Sequence, residues 1–300
     1  MQGVGDIVAR ITNAAGLKKN KNCNCGSRQA KLNRLLPFKG SRHDPDWTVV
    51  MTTAPRADST VIETINSVRR AGWEPVVFAE PDSVSMDAVE VKKNTKRLGV
   101  WHNWIQAARW ACNRRSKYVL TLQDDVALHV DSKRFTESIL WPSENCGFVS
   151  LYTPAHYQRH TEEPQEWHSG VQRVRTRSLW GACALVWPSP VLREVIEHPI
   201  AKKWLGVPPR RNKSSVMKQR KEQPYTIQNS DTAIGKIINR MRREMWFLDP
   251  SPVRHFARVS SIGHGGNSGR RNCGRCAVDN IPLAEQIQVG DIKPVKSISQ

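Results

Sequence analysis

Long apolar runs are missing from this chain. None of its 300 residues belongs to a stretch near the roughly 20 needed to span a bilayer, so no membrane is expected among its partners. The opening residues, MQGVGDIVAR, lack the basic start and apolar middle of a signal peptide, which points to a soluble intracellular protein. No internal repeat is visible, which argues against solenoids and propellers. Acids are scarce as well: 27 Asp and Glu stand against 46 Lys and Arg, for a net charge of +19 and a pI near 10. Such an imbalance calls for an acidic partner, whether nucleic acid, an anionic membrane surface or a phosphorylated polymer. The blander alternative is a very soluble surface. Clustering weakens that alternative, because Ala201 to Lys221 holds eight Lys or Arg and no acid.

Seven cysteines in a chain this long do not make a disulfide framework. Four form two close pairs, Cys23/Cys25 in CNC and Cys273/Cys276 in CGRC. Together they supply four thiolates, enough for a structural zinc tying the two ends of the chain together. The alternative is reduced thiols in two loops. Cys112, Cys146 and Cys183 are isolated and read as buried thiols.

The organisation predicted is an α/β fold in three parts: a basic N-terminal appendage over 1–46, a main domain over 47–265 and a C-terminal tail over 266–300. Strands are expected at Thr48–Pro55, Val76–Asp82 and Tyr118–Leu122, then at Phe148–Tyr152, Ala184–Trp187 and Met245–Leu248. The first three are continuously apolar rather than alternating, the pattern of parallel strands covered on both faces. Thr60-Val-Ile-Glu63 matches a capping box, and Val61, Ile62, Ile65, Val68 and Ala71 recur at helical spacing before Gly72. Leu98 to Cys112 reads as a helix rich in Trp and Ala. Ser189-Pro190 starts another, and Ser230 caps one running to about Arg243. Residues 206–224, rich in Pro and Lys/Arg, read as a loop.

The stretch YVLTLQDDVAL (Tyr118–Leu128) ends an apolar strand on two adjacent carboxylates, Asp124 and Asp125. Such a pair needs a divalent cation, arginine partners, or exposure on a turn. In open parallel sheets ligands gather at the carboxyl ends of strands. The turns there are TTAPR, AEPD and QDD. Thr52 and Thr53 offer hydroxyls and N–H groups, and Arg56 a fork for phosphate. Glu80 or Asp82 can accept from a base or ribose. Asp124 and Asp125 can hold a hard cation against a diphosphate.

With these motifs in order, the chain resembles the GT-A glycosyltransferases from about Trp47 to His264. TTAPR with SVRRAGW resembles the family's first strand, turn and helix. LGVWHNWIQAARW resembles the helix before the acidic motif, LTLQDDVAL the motif itself, and LWGACALVW the Gly-Ala segment lining the donor sugar. NSDTAIGKII resembles the start of the acceptor-site helix, and DPSPVRHFARVSSIGH the closing segment that supplies a metal-binding His. The departure is Gln123, which stands where the D-x-D pattern has its first Asp.

The resemblance implies a Rossmann-like sheet binding a nucleotide sugar, UDP-linked by expectation. It implies donor contacts from Ala54, Asn103, Asp124, Gly181 and Ala182, and a Mn²⁺ or Mg²⁺ ion on Asp125 and His255, with His264 as the alternative ligand. Asp231 is implied as general base for an inverting transfer. Its alternative is a helix N-terminal charge favoured by the dipole. The N-terminal pattern and the charge are similar in style to bacteriophage enzymes that glycosylate hydroxymethylated DNA bases. That implies DNA as acceptor, 5-hydroxymethylcytosine foremost, and the cytoplasm of an infected bacterium as location. Phosphates would be held by Lys202, Lys203, Arg210, Arg211, Lys213, Lys218, Arg220 and Lys221. Trp204 or another exposed aromatic would fill the gap left by a flipped base. Trp101, Trp104 and Trp110 are expected in the core, and TEEPQEWH as a solvated loop. The competing classes are a glycosyltransferase acting on a protein or surface glycan, and a non-catalytic DNA-binding protein on a transferase scaffold.

Overall fold

The computed structural model describes residues 46–87, 89–155, 157, 170–174, 179–204, 229–256 and 275–287. All lie within the second of two compact units, Asp44–Gln300. Of the expected phosphate ligands, Arg210, Arg211, Lys213, Lys218, Arg220 and Lys221 fall outside the described residues, as do Cys23, Cys25, Cys273, His264 and the TEEPQEWH loop.

The architecture is mixed α/β, the class the sequence predicts. β1 (Trp47–Thr53), β2 (Pro75–Ala79), β3 (Glu90–Lys93) and β4 (Tyr118–Gln123) form a parallel half-sheet in the order β3-β2-β1-β4. The sheet continues through β8 (Ala184–Pro188), β6 (Cys146–Ser150), β9 (Glu244–Asp249) and β7 (Gly170–Arg173). The parallel pattern expected of the first three strands holds for β1, β2 and β4, and the second half of the sheet is mixed. β8 runs antiparallel to both β4 and β6, and β7 antiparallel to β9. Strand direction is not written in apolarity. β8 is apolar throughout because both its faces are covered: Ala184 and Val186 enter one core, Leu185 and Trp187 the other.

Those two cores lie on opposite faces of the sheet. The first receives α1 (Val61–Arg70) and α3 (Ser132–Ile139), with Val61, Ile65, Val68, Phe135 and Ile139 buried. The second receives α2 (Val100–Cys112), α4 (Ser189–Glu197), the short α5 (Pro199–Lys203) and α6 (Ser230–Arg240). Trp101 and Trp104 stack at 5.2 Å inside it, as expected of core residues. Trp204 is also a core residue, 9% exposed with Lys236 Nζ 4.9 Å from its ring centroid, so it is not placed to replace a flipped base.

Two expected caps differ. Asn229 rather than Ser230 caps α6, its side-chain oxygen accepting from Thr232 N at 3.3 Å. The Thr60 hydroxyl leaves its own helix uncapped and donates to the carbonyl of Asp124 at 2.8 Å. Gly72 does follow the end of α1, with φ +96°.

Residues 275–287, within the expected C-terminal tail, make backbone bonds to the segment after β9. Ser251 N donates to Arg275 O and Ala277 N to Ser251 O, and Leu283, at the start of α7 (Leu283–Gln286), is buried together with Ile287. The buried His129 imidazole secures this segment: Nδ1 accepts from Asp131 N, leaving Nε2–H to face the carbonyls of Val278 and Ile281, both at 3.1 Å. Cys276 is disulfide-bonded, which withdraws its sulfur from the expected zinc ligands. Cys112, Cys146 and Cys183 are buried, as expected.

Candidate active site at the carboxyl edge of the sheet

The turn after β4 is held by a row of hydroxyls on α1. Thr60, Thr64 and Ser67 recur at i, i+4 and i+7, one face of a helix. Thr60 and Thr64 both donate to the Asp124 carbonyl, at 2.8 and 2.9 Å. Thr64 Oγ1 and Ser67 Oγ then accept from Val126 N and Leu128 N, both at 3.2 Å. These bonds dock β5 (Val126–Leu128) on the helix and satisfy backbone groups that burial would otherwise leave unpaired. β5 pairs antiparallel with β10 (Val253–His255). That pairing, with Phe256 N donating to Asp125 O at 2.7 Å, carries His255 to the acid pair.

The two carboxylates are met by one arginine. Arg56 NH1 donates to Asp125 Oδ2 at 3.0 Å, and NH2 donates to Asp124 Oδ1. Thr53 Oγ1 donates to the other oxygen of Asp124. His255 Nε2 lies 3.3 Å from Asp125 Oδ2. The pair thus separates into unlike members. Burial pushes the Asp124 carboxyl above the ordinary carboxylate range; Arg56 draws it back and Asp125 pushes it further up. Burial acts on Asp125 in the same sense, but His255 and Arg56 outweigh it and hold its carboxyl low. Burial alone would lower the Arg56 pKa; the two carboxylates more than compensate and raise it.

Among the described residues, three buried polar atoms here have no hydrogen-bond partner: Arg56 Nε, Asp125 Oδ1 and His255 Nδ1. A carboxylate oxygen and an imidazole nitrogen left without partners are donor types that a divalent cation takes, so Asp125 and His255 fit one as two of its ligands. Among the described residues no group of three or more His, Cys, Asp or Glu gathers to hold one, so the remaining ligands would have to come from elsewhere.

Tyr152, which the sequence does not single out, links this corner to the rest of the edge. Its ring lies 6.1 Å from that of His255, and it packs against the backbone of Gly181. A Cβ built on Gly181 would stand 2.5 Å from Tyr152 Cε1, and Gly181 has φ +77°, so only glycine suits the position. The next contact is Asp231, in the first turn of α6. Its carboxylate accepts from Gly181 N at 2.7 Å and Ala182 N at 3.1 Å. Asp125, His255, Tyr152, Gly181 and Asp231 thus form one chain of neighbours. Trp180 extends it: its N–H donates to the buried Tyr157 hydroxyl at 2.7 Å while its side chain is 54% exposed.

Several expected donor contacts are engaged inside the protein. The Glu80 carboxylate is 2% exposed and accepts from Leu98 N and Gly99 N, so it anchors the start of α2 rather than facing a base or ribose. Asn103 is buried, donating to Phe78 O at 3.0 Å and accepting from Asn94 Nδ2 at 3.1 Å. The Thr52 and Thr53 hydroxyls donate to Leu122 O and Asp124. Ala182 is buried and Ala54 half-buried, and neither brings a side chain beyond its methyl. Asp82 stays exposed, on the turn after β2 with φ +62°. Lys202 and Lys203 are exposed on α5.

No protein-family model matches the chain, and no curated protein matches it. Among solved structures it is similar to residues 1–349 of S. aureus TarS, with 10% identity, 68% of this chain and 58% of that chain covered, and a TM-score of 0.37. The same protein in complex with UDP gives 9% identity, coverages of 68% and 57%, and a TM-score of 0.36. The match thus spans less than two thirds of that chain, and likeness at this level adds nothing to the chemistry of the site.

Proposed function

We propose that the chain is a glycosyltransferase that moves a sugar from a nucleotide diphosphate donor to a hydroxyl, with a hydroxymethylated pyrimidine in DNA as the favoured acceptor. The observation that carries this is the Asp124–Asp125 pair at the end of β4, with Arg56 and His255 against it and the orphaned Asp125 Oδ1 and His255 Nδ1 beside them. When bound, a Mn²⁺ or Mg²⁺ ion on Asp125 and His255 would neutralise charge on the leaving diphosphate. Arg56 is the mobile cation of the site: a diphosphate offers its fork the same bidentate partner that the carboxylates now provide. Asp82 lies on the same edge for the ribose or base.

On the acceptor side, Asp231 would take the proton of the attacking hydroxyl. Two backbone N–H groups fix the orientation of its carboxylate at the start of α6. Trp180, the neighbour of Gly181, has an exposed side chain. The nucleic-acid acceptor is supported by the net charge of +19, with Lys202 and Lys203 accessible on α5.

The test is direct. The protein is incubated with Mn²⁺, a mixture of nucleotide sugars, and duplex DNA carrying 5-hydroxymethylcytosine, with unmodified and methylated DNA alongside. The nucleosides are then weighed by mass spectrometry. A pentose or hexose on the hydroxymethylated base alone, lost with Asp125→Ala and with chelator, supports the proposal. Donor hydrolysis without transfer to any base would redirect the acceptor search to proteins and glycans. Neither hydrolysis nor transfer with any donor would leave the non-catalytic DNA-binding reading.

A further inference from the structure

From Val91 to Gln123 the chain has eight Lys or Arg and no acid. The fold gathers most of this charge on one margin. β3 is the edge strand of the sheet; α2 packs over β1, β2 and β4, and its side chains reach the end of β3. A chain of side-chain amides joins them: Gln106 Nε2 donates to Asn94 Oδ1 at 2.9 Å, and Asn94 Nδ2 to Asn103 Oδ1 at 3.1 Å. One helical turn beyond Gln106, Trp110 packs on Phe78 and has two cations over its ring. Lys92 Nζ is 5.1 Å and the Arg114 guanidinium 4.9 Å from its ring centroid.

Lys93, Lys96, Arg97 and Arg109 are exposed along the same margin. The acid at the start of the strand, Glu90, is tied to Lys92 at 3.1 Å. Lysines on an edge strand are ordinarily explained as a guard against edge-to-edge pairing. That accounts for Lys92 and Lys93. It does not account for Arg109 on the helix and Arg114 in the turn after it, or for Lys96 and Arg97 in the connection. An aromatic ring holding two cations in place is instead the make-up of a nucleic-acid surface.

We infer that the β3–α2 margin is a phosphate-binding track for a nucleic-acid strand, separate from the basic stretch after α5. The 13 residues of α2 span about 20 Å at 1.5 Å per residue, the length of about six phosphates along one strand of duplex DNA. The track begins at Lys96 and Arg97, just before the helix start that Glu80 anchors at the carboxyl edge of the sheet. A duplex lying on it would therefore end beside the candidate active site. The inference shares with the proposed function only the nucleic-acid partner and needs no transfer chemistry.

The test is fluorescence anisotropy with a labelled duplex of about 20 base pairs, titrated at several salt concentrations. The triple variant Lys93→Gln/Arg109→Gln/Arg114→Gln is compared with Arg70→Gln/Lys133→Gln/Arg134→Gln, which removes the same charge from α1 and α3 on the opposite face. Thermal melts confirm that both remain folded; should the first not fold, Lys93→Gln/Lys96→Gln/Arg97→Gln replaces it. The track variant should weaken binding at least tenfold and lower the slope of log K against log salt by about 2.7, or 0.9 per lost phosphate contact. The opposite-face variant should change the slope by less than about 1. Equal losses in both would mean a diffuse field and overturn the track, as would an unchanged slope in the first or a wild-type protein that does not bind DNA. Binding as expected without sugar transfer to any DNA would keep the track and remove the glycosyltransferase reading.

Discussion

The acid pair at the end of β4 and Asp231 at the start of α6 lie at the two ends of one chain of contacts, and they are stabilised by different means. Asp124 and Asp125 are neutralised by a side chain, Arg56, whose fork a diphosphate could also engage. Asp231 is held by the backbone N–H groups of Gly181 and Ala182, which cannot leave without unmaking the segment. A carboxylate pair with a side-chain counter-ion suits the place where a charged ligand enters. A carboxylate held by amides suits a group that must keep one orientation throughout a reaction.

The largest effect that could break this contrast is at Asp231. Asp231→Asn should lower sugar transfer by about 10²–10⁴, the usual contribution of a general base, while nucleotide binding by calorimetry stays near wild type. If transfer falls less than tenfold with the fold intact, the carboxylate only holds the 181–182 backbone.

Next comes Arg56. Arg56→Gln strips the counter-ion from the nearly inaccessible Asp124 and should cost about 3 kcal/mol in urea denaturation, as expected for half of a buried ion pair. Adding Asp124→Asn should recover part of that loss. A double variant no more stable than the single would show that Arg56 acts through something other than charge. For Gly181→Ala the expected cost is about 1–3 kcal/mol, because strained φ and contact with Tyr152 act together.

A smaller effect separates the two aspartates by pH. Asp124 has a raised folded-state pKa, so its contribution is full below the unfolded value near 4 and is lost as pH rises through the folded value. Asp125 has a lowered one, so its contribution is present above about 4 and is lost as pH falls through the folded value. Stability measured between about pH 4 and 7 should thus carry a component of order 1 kcal/mol that falls with rising pH and vanishes in Asp124→Asn; a component that persists there belongs to another group. The smallest change expected is for Thr64→Val, about 1 kcal/mol, seen also as faster hydrogen exchange at Val126. Unchanged exchange there would mean that the hydroxyl row is not what holds the turn.

Much of the frame was legible in the sequence. The buried strands show as unbroken apolar runs and the helices as 3.6-residue periodicity, because burial on two faces or on one stripe is a local demand on composition. Their neighbours were not legible. β3, β5, β7 and β10 read EVKK, VAL, GVQR and VRH; such short or polar segments become strands only because a neighbour offers an edge. Strand direction in the second half of the sheet was hidden for a related reason, since antiparallel and parallel strands buried on both faces have the same composition.

The site divides along the same line. By itself the sequence determined that two carboxylates end an apolar strand, that an arginine follows the first strand, and that an aspartate opens a helix after Asn229. Each is a residue type at a local structural position. What only the tertiary structure decided was who meets whom. Arg56 reaches Asp124 and Asp125, and His255 reaches Asp125 across 130 positions of chain. Glu80 and Asn103 turned inward to satisfy buried amides, and Tyr152 made Gly181 obligatory. A carboxylate, an amide or a hydroxyl can serve a ligand or the backbone equally well. The choice falls to whichever unpaired polar group packing brings within reach, because leaving that group buried without a partner costs more than any local preference can return.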